Sequence, residues 1–232
     1  MKKLIKKIIP YRLFRRWYQK IKFQNMSTKE VFTEIYKVNY WKSDESISGV
    51  GSESNQTRSI IKDIDRLLSE MKITSLLDIP CGDFNWMKEV DLSKIDYVGA
   101  DIVDELIYKN IRKYKHRKNL KFKVLNLISD TLPKTDILIL RDCLVHLSNK
   151  DIYSAIKNIK SSGSKYLLST TFIDHQLNID IVTGDWRPLN LQKHPFNFPS
   201  PILIINENCT EANGEYSDKS LALWDINKIE LP

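Results

Sequence analysis

No stretch of this sequence stays apolar for the roughly 18 residues that a membrane-crossing helix needs, so a helical membrane span is not expected. No Cys-x-x-Cys pair occurs. The three cysteines, Cys81, Cys143 and Cys209, lie far apart, which argues against a zinc knuckle or a disulfide scaffold. A reducing compartment, the cytoplasm, is the expected location. Residues 1–23 have neither the unbroken apolar core nor the small-residue cleavage site of a secretion signal. Internal repeats, low-complexity segments and a second domain are also missing.

Acid is absent from residues 1–23, which hold nine Lys or Arg. The other 209 residues carry 27 basic and 29 acidic side chains, so the net +7 of the chain is local to this segment. The body therefore lacks the excess positive charge of a nucleic-acid channel, and no nucleic-acid partner is expected. Residues 1–26 read as a basic amphipathic segment and 27–232 as one domain. In the segment, Phe14, Trp17 and Tyr18 interleave with cations, and Pro10 divides it into two pieces. Two readings follow: peripheral attachment of residues 1–23 to an anionic inner membrane face, or a helix packed on the domain with its basic face in water.

Residues 27–40 and 57–71 have helical spacing of apolar residues, with a capping-box pattern at Ser27–Glu30. Strand candidates follow at 75–79, 96–100, 121–125, 135–140 and 164–170, and helices suit 84–90, 103–115 and 148–160. The apolar runs are continuous, as in strands covered on both faces. This alternation predicts a mainly parallel α/β sheet. Residues 201–211 and 219–226 flank a turn at Asn213–Gly214 and read as a final antiparallel hairpin.

Ligands of such sheets bind outside the carboxyl ends of the strands. Those ends supply Asp78, Pro80, Cys81, Gly82 and Asp83, then Asp101, then Asn126, then Arg141 and Asp142. Asp101 lies 19 residues beyond Gly82, a spacing that suits an acid on the two hydroxyls of a ribose. The first loop has a single glycine with carboxylates on either side, not G-x-G-x-x-G, and no Walker lysine is present. Carboxylates repel a pyrophosphate and attract a cation. An adenosine ligand without phosphates and with a positive charge is implied, and S-adenosylmethionine meets that description.

The segments LLDIPCGDFNWM, YVGADI and DILILRDCLVHLS together resemble class I S-adenosylmethionine-dependent methyltransferases. With FTEIYKVNYWKSDESISGVGSESNQT, the chain is similar, from about Val31 to Ile229, to bacterial members associated with surface-polysaccharide biosynthesis. The resemblance implies a Rossmann-like, mostly parallel seven-stranded sheet ending in an antiparallel hairpin. It implies cofactor contacts from Asp78, Pro80, Cys81 and Gly82, from Asp101 and Ile102, from Asn126 and Leu127, and from Arg141. It also implies a lid over the methionine end, carrying Gly51 and Ser52 and anchored by Trp41. Asn126 stands where many members have an aspartate near the adenine amine, and its amide oxygen can accept from that amine.

For the acceptor, the expectation is a hydroxyl of a sugar or surface-glycan precursor, with a small amine or a phosphate-bearing molecule as the alternative. A non-catalytic binding module with the same fold is the remaining reading. The D/N-P-P-Y/F/W motif of nucleobase or glutamine methylation is absent. Asp142 and His146, both in RDCLVH, are the candidate bases. The long segment 172–200 is read as the acceptor insertion, with His175, Asp185, Trp186 and Arg187 as candidates: aromatic faces pack on sugars, and Arg binds carboxylates or phosphates. Asp142, Asp174 and His175 have no metal-ligand spacing, so no metal is expected. Cys81 and Cys143 read as small packing residues.

Overall fold

The computed structural model describes residues 21–230. The membrane or packing role expected of the basic segment falls almost entirely outside them.

Seven strands form one sheet in the order β3-β2-β1-β4-β5-β7-β6. They are β1 (Ser75–Asp78), β2 (Asp96–Asp101), β3 (Leu120–Val124), β4 (Ile137–Leu140), β5 (Tyr166–Phe172), β6 (Leu203–Asn206) and β7 (Lys219–Asp225). The first five run parallel. β7 enters antiparallel between β5 and β6 and gives the expected hairpin. The helices are α1 (Thr28–Lys37), α2 (Ser54–Glu70), α3 (Asp104–Tyr114) and α4 (Asn149–Ser161).

β1 and β4 are buried at nearly every position, which is why their apolar runs do not alternate. One apolar layer joins α2 and α3 to the sheet through Ile60, Ile64 and Ile107. The other joins α4 through Ile152, Ala155 and Ile156. At the start of α1, the Ser27 side chain accepts from Glu30 N–H and Glu30 caps Ser27 in return, as its sequence indicates.

The expected helix at 84–90 does not form; only a short 3₁₀ turn, Met87–Glu89, is present. Gly82 (φ 54°) and Phe84 (φ 62°) both take left-handed backbone, which a helix cannot nucleate through. Phe84 is drawn out of line to pack edge-on against Tyr114 and Phe122. Its burial stabilises a conformation that its backbone disfavours. No helix of the described residues is long and apolar enough to cross a membrane.

Candidate active site

A cavity opens at the carboxyl ends of β1, β2 and β4. Its walls include Pro80, Cys81, Gly82, Asp101, Ile102, Asn126, Leu127, Arg141, Asp142 and His146. Nearly all the residues expected to bind a cofactor therefore meet at one place. Asp78 and Gly51 stand just behind the wall.

Asp101 is the terminal residue of β2, and its carboxylate is fixed by backbone. Oδ2 accepts from Gly82 N–H at 3.3 Å and Oδ1 from Val103 N–H at 3.0 Å. Ile102 N–H also interacts with the carboxylate, and the acceptor capacity that remains suits ribose hydroxyls. Burial raises its pKa to about 6. Beside it Ile102, Leu127 and Ile128 form an apolar slot of the kind a flat base needs. Asn126 Oδ1 accepts from Ile128 N–H at 2.9 Å and keeps a second lone pair, so the expected bond from an adenine amine stays open to it. Its amide nitrogen can in addition donate to a ring nitrogen.

Gly82 is required by space as well as by its backbone. A Cβ there would fall 2.0 Å from Ser48 Oγ. Ser48 belongs to a strap that Asp83 holds down. Asp83 accepts from Ser46 Oγ at 3.0 Å and from Ile47 N–H at 3.1 Å. Asp83 therefore anchors the strap and caps no helix. Trp41 supports the same strap, its Cβ 3.0 Å from the place a Gly49 side chain would occupy. Ser48, Ser52 and Trp41 all line the cavity. These groups fit an adenosine with a cationic amino-acid tail: acid at the ribose position, apolar slot, and a strap over a side-chain-free loop.

Asp78 was expected to face a ligand donor. Its partner is instead Tyr97, whose hydroxyl donates at 2.6 Å beneath the wall. Burial raises the Asp78 pKa to about 7. Cys81 is buried, and burial raises its thiol well above the ordinary range, as for a packing residue.

Four charged side chains meet at and behind one wall of the cavity. Arg141 Nη2 donates to Glu207 Oε2 at 2.6 Å and to the Gly51 carbonyl at 2.7 Å. Lys219 Nζ binds Asp142 Oδ2 at 2.7 Å and lies 3.5 Å from Glu207 Oε2. β4, the hairpin and the strap are thus tied together. Despite burial, Lys219 and Arg141 lower the Asp142 pKa to about 2. An acid that holds its proton so weakly is a poor base, and Asp142 is corrected from that role to an ionised wall of the site.

His146 remains. It ends a 3₁₀ turn after β4 (Leu144–His146), and its Nδ1 lies 3.0 Å from the Asp185 carbonyl. A carbonyl only accepts, so Nδ1 carries the proton and Nε2 offers its lone pair. Burial lowers its pKa below the usual histidine value, which keeps it neutral at pH 7. The Trp41 ring lies 5.1 Å away and closes that side.

The 172–200 segment does not present its expected acceptor residues. Arg187, 1% exposed, is turned inward. It donates to the Leu144 and Val145 carbonyls at 3.0 Å, to the Ile179 carbonyl at 3.2 Å and to Asn149 Oδ1 at 3.3 Å. Desolvation lowers its pKa to about 10, so it stays charged at pH 7. Trp186 packs edge-on against Phe172 and Tyr216. His175 sits in the loop after β5, where its carbonyl accepts from Asn190. Asp185 meets His146 through its backbone carbonyl. Hence the segment builds the bed of His146, and none of its residues is on the cavity wall. Replacing Arg187 by Met removes its charged bonds to the buried Leu144 and Val145 carbonyls, which then keep only the backbone N–H groups of Leu147 and of residue 187. It is expected to cost about 3 kcal/mol or more, measured by urea unfolding.

One side of the wall is made by residues of α1, a segment whose sequence showed only helical spacing. Thr28, Phe32 and Tyr36, spaced by four along α1, point into the cavity, while Val31 and Ile35 on the neighbouring stripe are buried. Two adjacent stripes on one helix are the signal that was available. Among the described residues no cluster of His, Cys, Asp or Glu is arranged to hold a metal.

No family model and no curated protein sequence matches the chain. Solved structures do match its fold. Human N-acetylserotonin methyltransferase in complex with S-adenosylmethionine superposes with a TM-score of 0.60 at 15% identity; the match covers 86% of this chain and 60% of that one. The N-methyltransferase NodS from Bradyrhizobium japonicum gives 0.54 at 13% identity over 75% of this chain and 98% of its own. The PH0226 protein from Pyrococcus horikoshii gives 0.54 at 18%, with 83% and 98% covered. The fold is that of class I S-adenosylmethionine-dependent methyltransferases.

Proposed function

We propose that the protein transfers the methyl group of S-adenosylmethionine to a small acceptor whose nucleophile is an amine. The observation that carries this reading is the chemistry of the acceptor side. Phe32, Tyr36 and Trp41 stand there with a neutral His146 and an ionised Asp142. Aromatic faces favour an ammonium group on approach, and the Asp142 carboxylate, which Lys219 meets through Oδ2, faces the same space. The cation on the wall, Arg141, is committed to Glu207, and Lys219 behind it to Asp142. A phosphate therefore finds no free positive partner there.

When bound, S-adenosylmethionine supplies an electrophilic methyl on a sulfonium. The residues of the chain hold and deprotonate. Asp101 takes the ribose hydroxyls, Ile102 and Leu127 flank the base, and the strap at Ser48 and Ser52 shuts out water. An ammonium has no lone pair to attack with, so it must first lose a proton. His146 Nε2 accepts it, and the Asp185 carbonyl holds the imidazole in the tautomer that can. Positioning supplies the rest of the rate.

NodS shows that the same fold carries N-methyl transfer. The sugar-hydroxyl expectation becomes the second reading, which His146 serves equally well as base. It is weakened because Arg187 is buried and the half-buried Trp186 packs edge-on against Phe172 and Tyr216, and neither of this expected sugar- and anion-binding pair lines the cavity. Incubation with radiolabelled S-adenosylmethionine and matched panels of small amines and sugar alcohols decides between them. Label in an amine supports the proposal; label only in hydroxyl compounds overturns its acceptor class.

A further inference from the structure

The charge of the body is close to neutral in sum but strongly segregated in space. Residues 106–129, a run of 24, contain eight Lys or Arg and no acid. They form the later turns of α3, the turn that follows, and β3, the edge strand of the sheet. Lys109 is occupied by Glu105, and Arg117 lies close enough to Asp91 to favour its ionised form. Arg112, Lys113, Lys115, Lys118, Lys121 and Lys123 are exposed, and none makes an ion pair among the described residues.

Two ordinary causes account for part of this. Cations complement the carbonyl end of a helix, and lysines on an edge strand block pairing with another sheet. Neither requires acid to be absent from the whole run. Neither explains two exposed apolar side chains among the cations. Tyr108 is 53% and Ile111 43% exposed. With Arg112 and Lys115 they follow i, i+3, i+4, i+7 spacing, which places all four on one helix face.

We propose that this face docks the protein on an anionic lipid surface. Cations meet the headgroup charge, while Tyr108 and Ile111 enter the apolar boundary beneath it. A phosphate backbone satisfies the cations equally well but leaves Ile111 against charge. The geometry suits docking during turnover. Val103 and Leu106, at the start of α3, line the cavity, and the cations gather at its other end. The docking face begins at Tyr108, two residues past Leu106, and a turn of about 100° per residue sets these two side chains on nearly opposite sides of the helix. The cavity mouth is therefore not covered by the surface that holds the protein.

The full-length chain tests this by cosedimentation with vesicles of phosphatidylcholine alone and of phosphatidylcholine with phosphatidylserine. Wild type is expected to bind the second and not the first. Combined Arg112→Glu, Lys115→Glu and Lys118→Glu substitutions are expected to weaken binding by about tenfold or more, with S-adenosylhomocysteine affinity unchanged. Tyr108→Ser with Ile111→Ser is expected to weaken the binding that survives high salt. A separate Lys121→Gln, Lys123→Gln variant should also bind less, which guards against misfolding of the first. Equal binding by wild type and both charge variants would assign any attachment to residues 1–23 and overturn the proposal. So would absence of binding to anionic vesicles. Tighter binding of a single-stranded RNA than of vesicles, lost in the charge variants, would make this a nucleic-acid face instead.

Discussion

Replacing His146 by alanine is expected to lower turnover by about 10²–10⁴-fold and to leave S-adenosylhomocysteine affinity nearly unchanged. The side chain lines the cavity beside Trp41, with Nδ1 bound to the Asp185 carbonyl and Nε2 as its remaining acceptor. Its loss removes the proton acceptor and little of the cofactor's contact surface. In wild type, activity should fall as pH drops through the His146 pKa, which burial holds below the ordinary histidine value. The imidazolium has no lone pair to offer, so the acidic limb should be missing in the variant. Single-turnover rates across pH check both. Full activity in His146→Ala would remove the imidazole from the chemistry and leave alignment alone.

The second large effect concerns the charges behind the site. Glu207→Leu leaves the guanidinium of Arg141 buried with only the distant oxygen of Asp142, 3.7 Å away, for countercharge. Breaking a buried pair in this way costs about 3–5 kcal/mol, and urea unfolding at neutral pH should show it. Pairing the change with Arg141→Met removes the stranded charge and should recover much of that stability, while cofactor affinity falls. A double variant no more stable than the single one would show that the pair acts through something other than charge. Arg141 Nε and Glu207 Oε1 are buried without hydrogen-bond partners among the described residues. Such incomplete pairing is an inefficient way to hold a fold together, and fits a cluster kept for its effect on the cavity. Acid should act on it late. The Asp142 pKa is lowered from 3.8 to about 2, so its contribution is complete above 3.8 and is lost as pH falls towards 2.

Much of this architecture was legible because local and tertiary preferences agree. Continuous apolar runs marked β1, β4 and β5, and polar residues at their exits marked the cavity. The failures have physical causes. The helix after Gly82 was lost because Phe84 gains more from the Tyr114–Phe122 cluster than its backbone loses. Arg187 and Trp186 looked like ligand contacts because Arg and Trp are common in them. Nothing in a sequence tells an outward guanidinium from one spent on the carbonyls of a distant turn. Asp142 looked like a base until Lys219, which lies 77 residues away, appeared beside it. Phe32 and Tyr36 were visible as a stripe, but which stripe faces a cavity depends on what α1 packs against.

The central claim is that the cavity holds S-adenosylmethionine through Asp101, and calorimetric titration with S-adenosylhomocysteine tests it most directly. One molecule should bind per chain, more weakly as pH falls below about 6, where the Asp101 carboxylate gains a proton. Asp101→Ala should weaken binding by about 1–3 kcal/mol, the cost of poorly paired ribose hydroxyls. Equal affinity in wild type and Asp101→Ala, or saturable binding of NAD in place of S-adenosylhomocysteine, would contradict the account.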